Sequence, residues 1–334
     1  MHYIPEGYSS KTTLIETEIA IKLIKDFFEN CLSKKLNLTR VSAPLFVLPE
    51  TGLNDNLNGV ERPVSFAGVG TQNRQCEVVQ SLAKWKRMAL KRYDFNIGEG
   101  LYTDMNAIRC DEELDNIHSI YVDQWDWEKV IRREERNLET LKSTVEIIYK
   151  VFLETEEYVR SKFTLFEAKL PKELTFITSQ ELMDLYPEYS AKDREKAYVK
   201  EKGAIFIMKI GDKLLNGERH DGRAPDYDDW SLNGDLILYH NLLDIAFEVS
   251  SMGIRVDAEA MDRQLTKANA DDRRQLPYHQ DILHERLPFT IGGGIGQSRI
   301  CMYFMDKIHI GEVQASIWEE EMLEYMSRKN VVIL

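Results

Sequence analysis

The chain has 334 residues, 43% of them hydrophobic and 30% charged, which supplies ample apolar material for a globular core. Its formal net charge of −13 argues against a large nucleic-acid footprint, which needs a basic face, so no nucleic-acid partner is expected. No apolar run approaches membrane-spanning length, and residues 1–10 lack the basic-then-apolar layout of a signal peptide, so no membrane association is expected.

Cys31, Cys76, Cys110 and Cys301 lie far apart without paired spacing. They indicate neither a zinc site nor a disulfide frame and fit the cytoplasm. Internal repeats, low-complexity tracts and linkers are absent, so a single domain over residues 1–334 is the simplest organisation.

Residues 9–35 predict an amphipathic helix capped by Ser9 or Ser10, with Ile21, Ile24, Phe28 and Cys31 or Leu32 at helical spacing. Residues 38–47 predict an extended segment around Pro44, because the residue before a proline avoids helix. A polar Asn/Asp/Gly loop over 52–59 carries Asp55, and a hairpin over 63–69 and 75–79 follows it. Ser81 is placed to cap a helix over 82–92 whose Lys84, Lys86, Arg87, Lys91 and Arg92 form a basic patch. A solvated face explains such a patch, but its position just after a strand also suits an anionic substrate.

Residues 108–128 hold the densest chemistry. Arg109 leaves an apolar run, an acidic loop follows over 111–115, and the chain returns over 118–127 in alternation. Ile120, Val122, Gln124 and Asp126 stand against Ser119, Tyr121, Asp123 and Trp125. Period-2 alternation on a return strand after a polar loop predicts an antiparallel hairpin. Its carboxylates fit either an edge strand with acids in water or an interior strand with at least one buried, paired carboxylate.

Residues 132–162 carry a heptad-like apolar series (Leu138, Leu141, Val145, Ile148, Phe152, Val159) that predicts a long helix on a sheet face. Strands are expected at 174–177 and 204–210, and short helices at 180–186 and 192–202. A polar loop over 213–230 carries His220, Asp221, Arg223, Asp226, Asp228 and Asp229. Strands at 235–239 and 246–249 place Asp235 and Glu248 where two carboxylates can converge, hard oxygen ligands suited to Mg²⁺.

Helices over 258–267 and 277–286 lead to residues 289–304, read as a short strand, a turn with Gly292, Gly293, Gly294 and Gly296, and a helix led by Arg299. Such glycines serve a tight bend or the close approach of a flat or phosphate-bearing ligand. They match neither the dinucleotide nor the P-loop spacing. Residues 317–334 are too mixed to assign.

Together, residues 108–128 and 289–304 resemble the second and third signature motifs of class II aminoacyl-tRNA synthetases. Asp55-Asn-Leu-Asn-Gly59, Ser81-Leu-Ala-Lys-Trp-Lys-Arg87, Gly98-Glu-Gly-Leu-Tyr102, Val122-Asp-Gln-Trp-Asp-Trp127, Arg223-Ala-Pro-Asp-Tyr-Asp-Asp-Trp230 and Ser250-Ser-Met-Gly-Ile-Arg255 narrow the likeness. They resemble the ammonia-dependent asparagine synthetases, the aspartate–ammonia ligase family, over nearly the whole chain.

That resemblance implies an α+β fold, a class II synthetase-like antiparallel sheet flanked by helices. It also implies a homodimer formed through Leu38-x-x-Val41-x-x-Pro44-Leu45. The implied reaction makes L-asparagine from L-aspartate, ATP and ammonia through a β-aspartyl-adenylate, releasing AMP and pyrophosphate.

The same resemblance implies the site roles. Arg109 meets the α-phosphate, Arg299 stacks on adenine and reaches the phosphates, and His118 contacts the γ-phosphate. Ser250, Ser251, Gly294 and Gly296 complete the nucleotide pocket, and Asp228 serves its nucleotide or ammonia side. The aromatic residue that usually stacks on adenine's other face falls at Val122, leaving Ser119 and Asp123 to offer polar contacts. Lys86 partners the substrate carboxylate, Ser81 and Gln124 orient the substrate, and Asp55 and Asp126 bind ammonium. Asp235 and Glu248 hold Mg²⁺ jointly with ATP.

Two other readings remain. An enzyme charging tRNA is opposed by the acidic charge and by the absence of an anticodon-binding segment ahead of the first motif. A non-catalytic amino-acid or nucleotide sensor need not keep Arg109, Arg299, Asp235 and Glu248 together. Free ammonia is expected over glutamine as nitrogen donor, because His2 stands where an N-terminal nucleophile would need Cys and no Cys has a base assigned to it.

Overall fold

The structure, a computed structural model, describes residues 2–55, 57 and 61–334. The expected loop over 52–59 therefore lies partly outside the described residues, at Asn56, Asn58 and Gly59. Helix α1 (Leu14–Leu36) starts at Thr13 and not at Ser9 or Ser10. Thr13 Oγ1 accepts from the Glu16 N–H while the Glu16 carboxylate accepts from the Thr13 N–H at 2.8 Å, a reciprocal cap that neither serine makes.

The chain continues through β1 (Leu38–Arg40), β2 (Phe46–Val47), β3 (Ser65–Ala67), β4 (Gln75–Val78), α2 (Ala83–Arg92), β5 (Gly100–Ile108) and β6 (Tyr121–Val130). Next come α3 (Leu138–Lys162), β7 (Thr175–Thr178), α4 (Ser179–Leu185), α5 (Ala191–Lys202), β8 (Ala204–Met208), β9 (Asp228–His240) and β10 (Ile245–Arg255). The last elements are α6 (Ala258–Lys267), α7 (Pro277–Leu283), β11 (Thr290–Gly296), α8 (Gln297–Phe304) and α9 (Glu320–Arg328), the last within the stretch left unassigned from sequence.

One sheet runs β1-β5-β6-β11-β10-β9-β8-β7, and β2-β4-β3 form a smaller one. In the large sheet β1 pairs parallel with β5 and β7 with β8, while the pairings between β5 and β8 are antiparallel. This is the expected α+β architecture. It corrects the edge-strand reading of residues 118–127, since β6 lies between β5 and β11. The supposed Gly-rich turn is also a strand: Gly292, Gly293, Gly294 and Gly296 all pair with β6. Strand β9 begins at Asp228, inside the expected polar loop, and β10 runs on to Arg255.

Alternation sorts β6 into two faces. Trp125 and Trp127 enter the main core with α1, α3 and α8, where Trp125 stacks on Phe28 at 4.8 Å between ring centroids. The opposite phase carries Gln124, Asp126 and Glu128 towards α2. A second core gathers α2, α6 and α7 on that side, leaving an open cleft beside it.

Candidate active site

The cleft, about 340 Å³, lies over β6, β11 and β10. At one end Arg109, His118, Ser119, Val122, Ser250, Ser251, Gly296 and Arg299 line it. Arg109 follows β5, and its backbone N–H donates to the Ile120 carbonyl at 2.8 Å, which closes the hairpin and aims the guanidinium along the cleft. Its nearest acid, Glu112, stands 3.8 Å away, and its Nε has no partner among the described residues. Arg299, in the first turn of α8, donates to the neutral Glu248 carbonyl at 2.8 Å. His118 Nδ1 lies 2.9 Å from both Asp115 oxygens. Burial would raise the Asp115 carboxyl, but the His118 ring and the Ile117 and His118 amides hold it below its ordinary range. The Ser119 hydroxyl donates to Ser316 at 3.0 Å, and Ser250 Oγ donates to the Gly294 carbonyl at 2.8 Å.

The other end is packed with opposed charges. Lys86, 1% exposed, lies 3.1 Å from Asp126 and 4.0 Å from Glu128, and donates to the Gly293 carbonyl at 2.9 Å. Burial pulls its ammonium below the usual lysine range against the attraction of Asp126. Arg255 grips Glu128, with contacts of 2.7 and 2.9 Å, and also pairs with Asp228. Burial would raise Glu128, but Arg255 and Lys86 hold it below the ordinary carboxylate range. Burial wins at Asp228, which is raised despite Arg255. Gln124 and Ser81 line this end, and Ser81 Oγ accepts from the Ala83 N–H at 3.1 Å although the helix cap itself is Leu82. The glycines of β11 have a local purpose here. A Cβ on Gly294 would strike Gln124 and Asp126, and one on Gly292 would strike Glu128.

The basic patch of α2 is not a solvated face. Lys84, Lys86 and Arg87 are all buried, and only Lys91 and Arg92 face water. Asp55, also buried, lines the wall beside Lys84.

Glu248 lines the cleft, whereas Asp235 lies just behind it. Arg223 pairs with one Asp235 oxygen, and the other, Oδ1, is buried with no hydrogen-bond partner among the described residues. Burial raises both carboxyls, and the proximity of Asp235 raises Glu248 further, against the opposing pull of Arg299 on Glu248 and of Arg223 on both. An orphaned buried oxygen beside a second carboxylate is a donor set that a hard divalent cation fits. Among the described residues no cluster of three or more His, Cys, Asp or Glu is placed to hold a metal, so these two would supply only part of its shell.

The model of the aspartate-ammonia ligase family matches residues 15–330. The chain belongs to the aspartate–ammonia ligase family. Curated aspartate–ammonia ligases from Fusobacterium nucleatum and Ruminiclostridium cellulolyticum are 62% and 60% identical to it. The first alignment covers 98% of this chain and 100% of the relative, the second 99% and 98%. Among solved structures, asparaginyl-tRNA synthetase from Pyrococcus horikoshii complexed with asparaginyl-adenylate superposes with a TM-score of 0.66 at 14% identity, over 91% of this chain and 70% of that one. The asparaginyl-tRNA synthetase of Entamoeba histolytica gives 0.62 at 13% identity, over 90% and 67%. At such identity these two establish the class II synthetase fold alone.

Within the ligase, several charged residues in the cleft or just behind its wall have no role in the sequence reading. Glu128 continues the Gln124, Asp126 alternation by one more step, a signal that was legible. Arg255 ends β10, and only the full length of that strand brings it to Glu128 and Asp228. Arg223 was placed in a loop, and nothing in the sequence couples it to Asp235.

Proposed function

We propose that this enzyme adenylates the side-chain carboxylate of L-aspartate with ATP and passes the acyl group to ammonia, giving L-asparagine, AMP and pyrophosphate. The observation that carries this reading is the division of one cleft into an under-neutralised cationic end at Arg109 and Arg299 and a charge-paired end at Lys86 and Arg255. A carboxylate cannot expel oxide at neutral pH, so its oxygen must first be converted to a better leaving group. A carboxylate oxygen attacks the α-phosphorus, the bond to the β-phosphate oxygen breaks, and pyrophosphate leaves. Ammonia then attacks the acyl carbon and AMP departs with the original carboxylate oxygen.

In this reading Arg109 meets charge developing at the α-phosphate, while Arg299 holds adenine and the phosphates. His118, Ser119, Val122, Ser250, Ser251, Gly294 and Gly296 form the remaining nucleotide wall. Lys86 and Ser81 orient aspartate with Gln124, and Asp126, Asp55 and Asp228 attract ammonium and take its proton. Mg²⁺ entering with ATP would be held by Asp235 and Glu248 and would neutralise phosphate charge.

Ammonia is the favoured donor on the thiols as well. Cys301 is buried, with its thiol pushed up to about 12 by burial, and burial also raises Cys31. Cys110 is exposed and donates to the Arg62 carbonyl at 3.1 Å, with no base beside it among the described contacts. Exposed Leu14, Ile15, Ile19, Leu45 and Phe46 on and after α1 support a homodimer through that face. The four unpaired cysteines suit the reducing cytoplasm, and no described helix is long and apolar enough to cross a membrane.

The test is pyrophosphate release with each of the twenty amino acids, with and without ammonium. Aspartate alone should support steady release, and only with ammonium present. Ammonium-independent release with another amino acid would sink the reading.

A further inference from the structure

Behind the cleft wall lies a buried charge cluster that the reaction above does not use. Asp226 is fully buried, and its Oδ2 takes three donors: Lys84 Nζ at 2.7 Å, Arg273 at 2.9 Å and His279 Nε2 at 2.9 Å. Its other oxygen, Oδ1, has no partner among the described residues. Lys84, 3% exposed, also donates to the Asn54 carbonyl at 2.9 Å, immediately before Asp55. The Asn54 side chain in turn accepts from the Asp55 and Gln80 amides at 3.0 Å each and donates to Glu77. Four separate elements, α2, the segment before β9, the turn at 271–275 and α7, thus meet at the Asp226 carboxylate, and Lys84 ties that carboxylate to the peptide that leads into Asp55.

A segment held only to complete the fold needs no such anchor. Burying two or three charges together costs several kcal/mol of desolvation that their attraction only partly offsets, so a neutral packing would serve stability equally well. We propose that Lys84, Asp226, Arg273 and His279 are positioning residues that fix the Asp55 carboxylate at the cleft wall and set the balance of charge it experiences while ammonia is bound. The proposal rests on the reading of Asp55 as an ammonium-binding acid. Each member acts through Asp55 and none of the four lines the cleft.

The charged groups facing Asp55 are Lys84, Asp226 and Arg273, and the Tyr227 phenol, held neutral by burial, is the other titratable neighbour. Burial pushes the carboxyl up to about 6; Lys84 and Arg273 oppose the rise and Asp226 adds to it. That mixture of signs makes a distinctive test. Removing either partner of the Lys84–Asp226 pair breaks the same contact, yet the two removals act on Asp55 in opposite senses.

The measurement is the acid limb of kcat/KM for ammonium in the intact enzyme at saturating ATP and aspartate. Lys84→Met and the more exposed Arg273→Gln should move the limb to higher pH, and Asp226→Asn to lower pH, each by about half a unit or more. His279→Leu should raise KM for ammonium about tenfold with KM for ATP and aspartate changed less than about twofold, and His279→Gln, which keeps a donor, should restore it. Shifts of one sign in all three charge variants, or an equal loss towards all three substrates, would make the cluster merely structural and overturn the proposal. Should Lys84→Met fail to fold, Arg273→Gln against Asp226→Asn decides alone. Asp55→Asn separates the two layers of argument. If it leaves the limb in place, the reading of Asp55 itself is wrong; if it abolishes the limb while the cluster variants do not move it, only the cluster proposal falls.

Discussion

The two ends of the cleft share strands β6, β10 and β11 but handle charge differently. At the proposed amino-acid end Lys86 and Arg255 are almost wholly buried and matched by Asp126, Glu128 and Asp228. At the proposed phosphate end Arg109 and Arg299 are less enclosed; Arg109 has an acid only at 3.8 Å, and Arg299 hydrogen-bonds a neutral carbonyl while its charge draws on the nearby Glu248 carboxyl. The first end is a finished electrostatic structure that must hold together without substrate. The second keeps positive charge unspent for an anion with several charges, which is what phosphate chemistry requires. Stability should therefore be concentrated at one end and rate enhancement at the other.

Breaking the finished end should have the largest effect on the fold. Arg255→Leu strands Glu128 and Asp228 in the interior and should lower the unfolding free energy by about 3–5 kcal/mol, measured by chemical denaturation. Arg109→Ala and Arg299→Ala should each slow turnover by about 10²–10³-fold, or roughly 3–4 kcal/mol in the barrier, while stability stays within about 1 kcal/mol of the parent. If Arg109→Ala unfolds the enzyme, or Arg255→Leu leaves it equally stable, the contrast between the ends fails.

Asp55 sharpens the contrast through pH. Its folded pKa, pushed up to about 6 by burial, lies above the ordinary carboxylate value of 3.8. The folded state therefore retains a proton that the unfolded state releases, so this group costs stability as pH rises from about 4 to about 6. Asp55→Asn removes that dependence. Relative to the parent, the variant should gain stability between pH 4 and pH 7, by something on the order of 3 kcal/mol, read from denaturation at the two values. A constant difference across that range would mean that Asp55 is not held as the structure holds it.

The smallest expected effect is at the carboxylates proposed to hold Mg²⁺. Asp235→Asn and Glu248→Gln should raise the Mg²⁺ concentration for half-maximal activity several-fold, on the order of 3- to 10-fold, and lower turnover. Titration of activity with Mg²⁺ checks this. Unchanged metal dependence in both variants would move the ion elsewhere.

Much of this arrangement was legible in the sequence because it is local. The alternation from Val122 to Trp127 fixed which side chains of β6 share a face, and α6 (Ala258–Lys267) spans the residues its pattern predicts. The start of α1 is also legible, since Thr13 and Glu16 have capping-box spacing, although Ser9 and Ser10 offer competing cap residues upstream. What the sequence hid depends on distant partners. Lys84 reads as a surface lysine until Asp226, 142 positions away, is placed against it. Four glycines in seven residues read as a turn because glycine weakens strands. Only the partner strands explain them: Glu128, Gln124 and Asp126 on β6 leave no room for a Cβ at Gly292 and Gly294, and Met252 on β10 leaves none at Gly293.

The central claim is that the Arg109 end brings an aspartate carboxylate against the α-phosphate. The direct measurement uses aspartate labelled with heavy oxygen in its side-chain carboxylate, incubated with ATP and ammonium, and mass analysis of the products. The account predicts one labelled oxygen in AMP and none in pyrophosphate. Unlabelled AMP, or label appearing in pyrophosphate or inorganic phosphate, would contradict it.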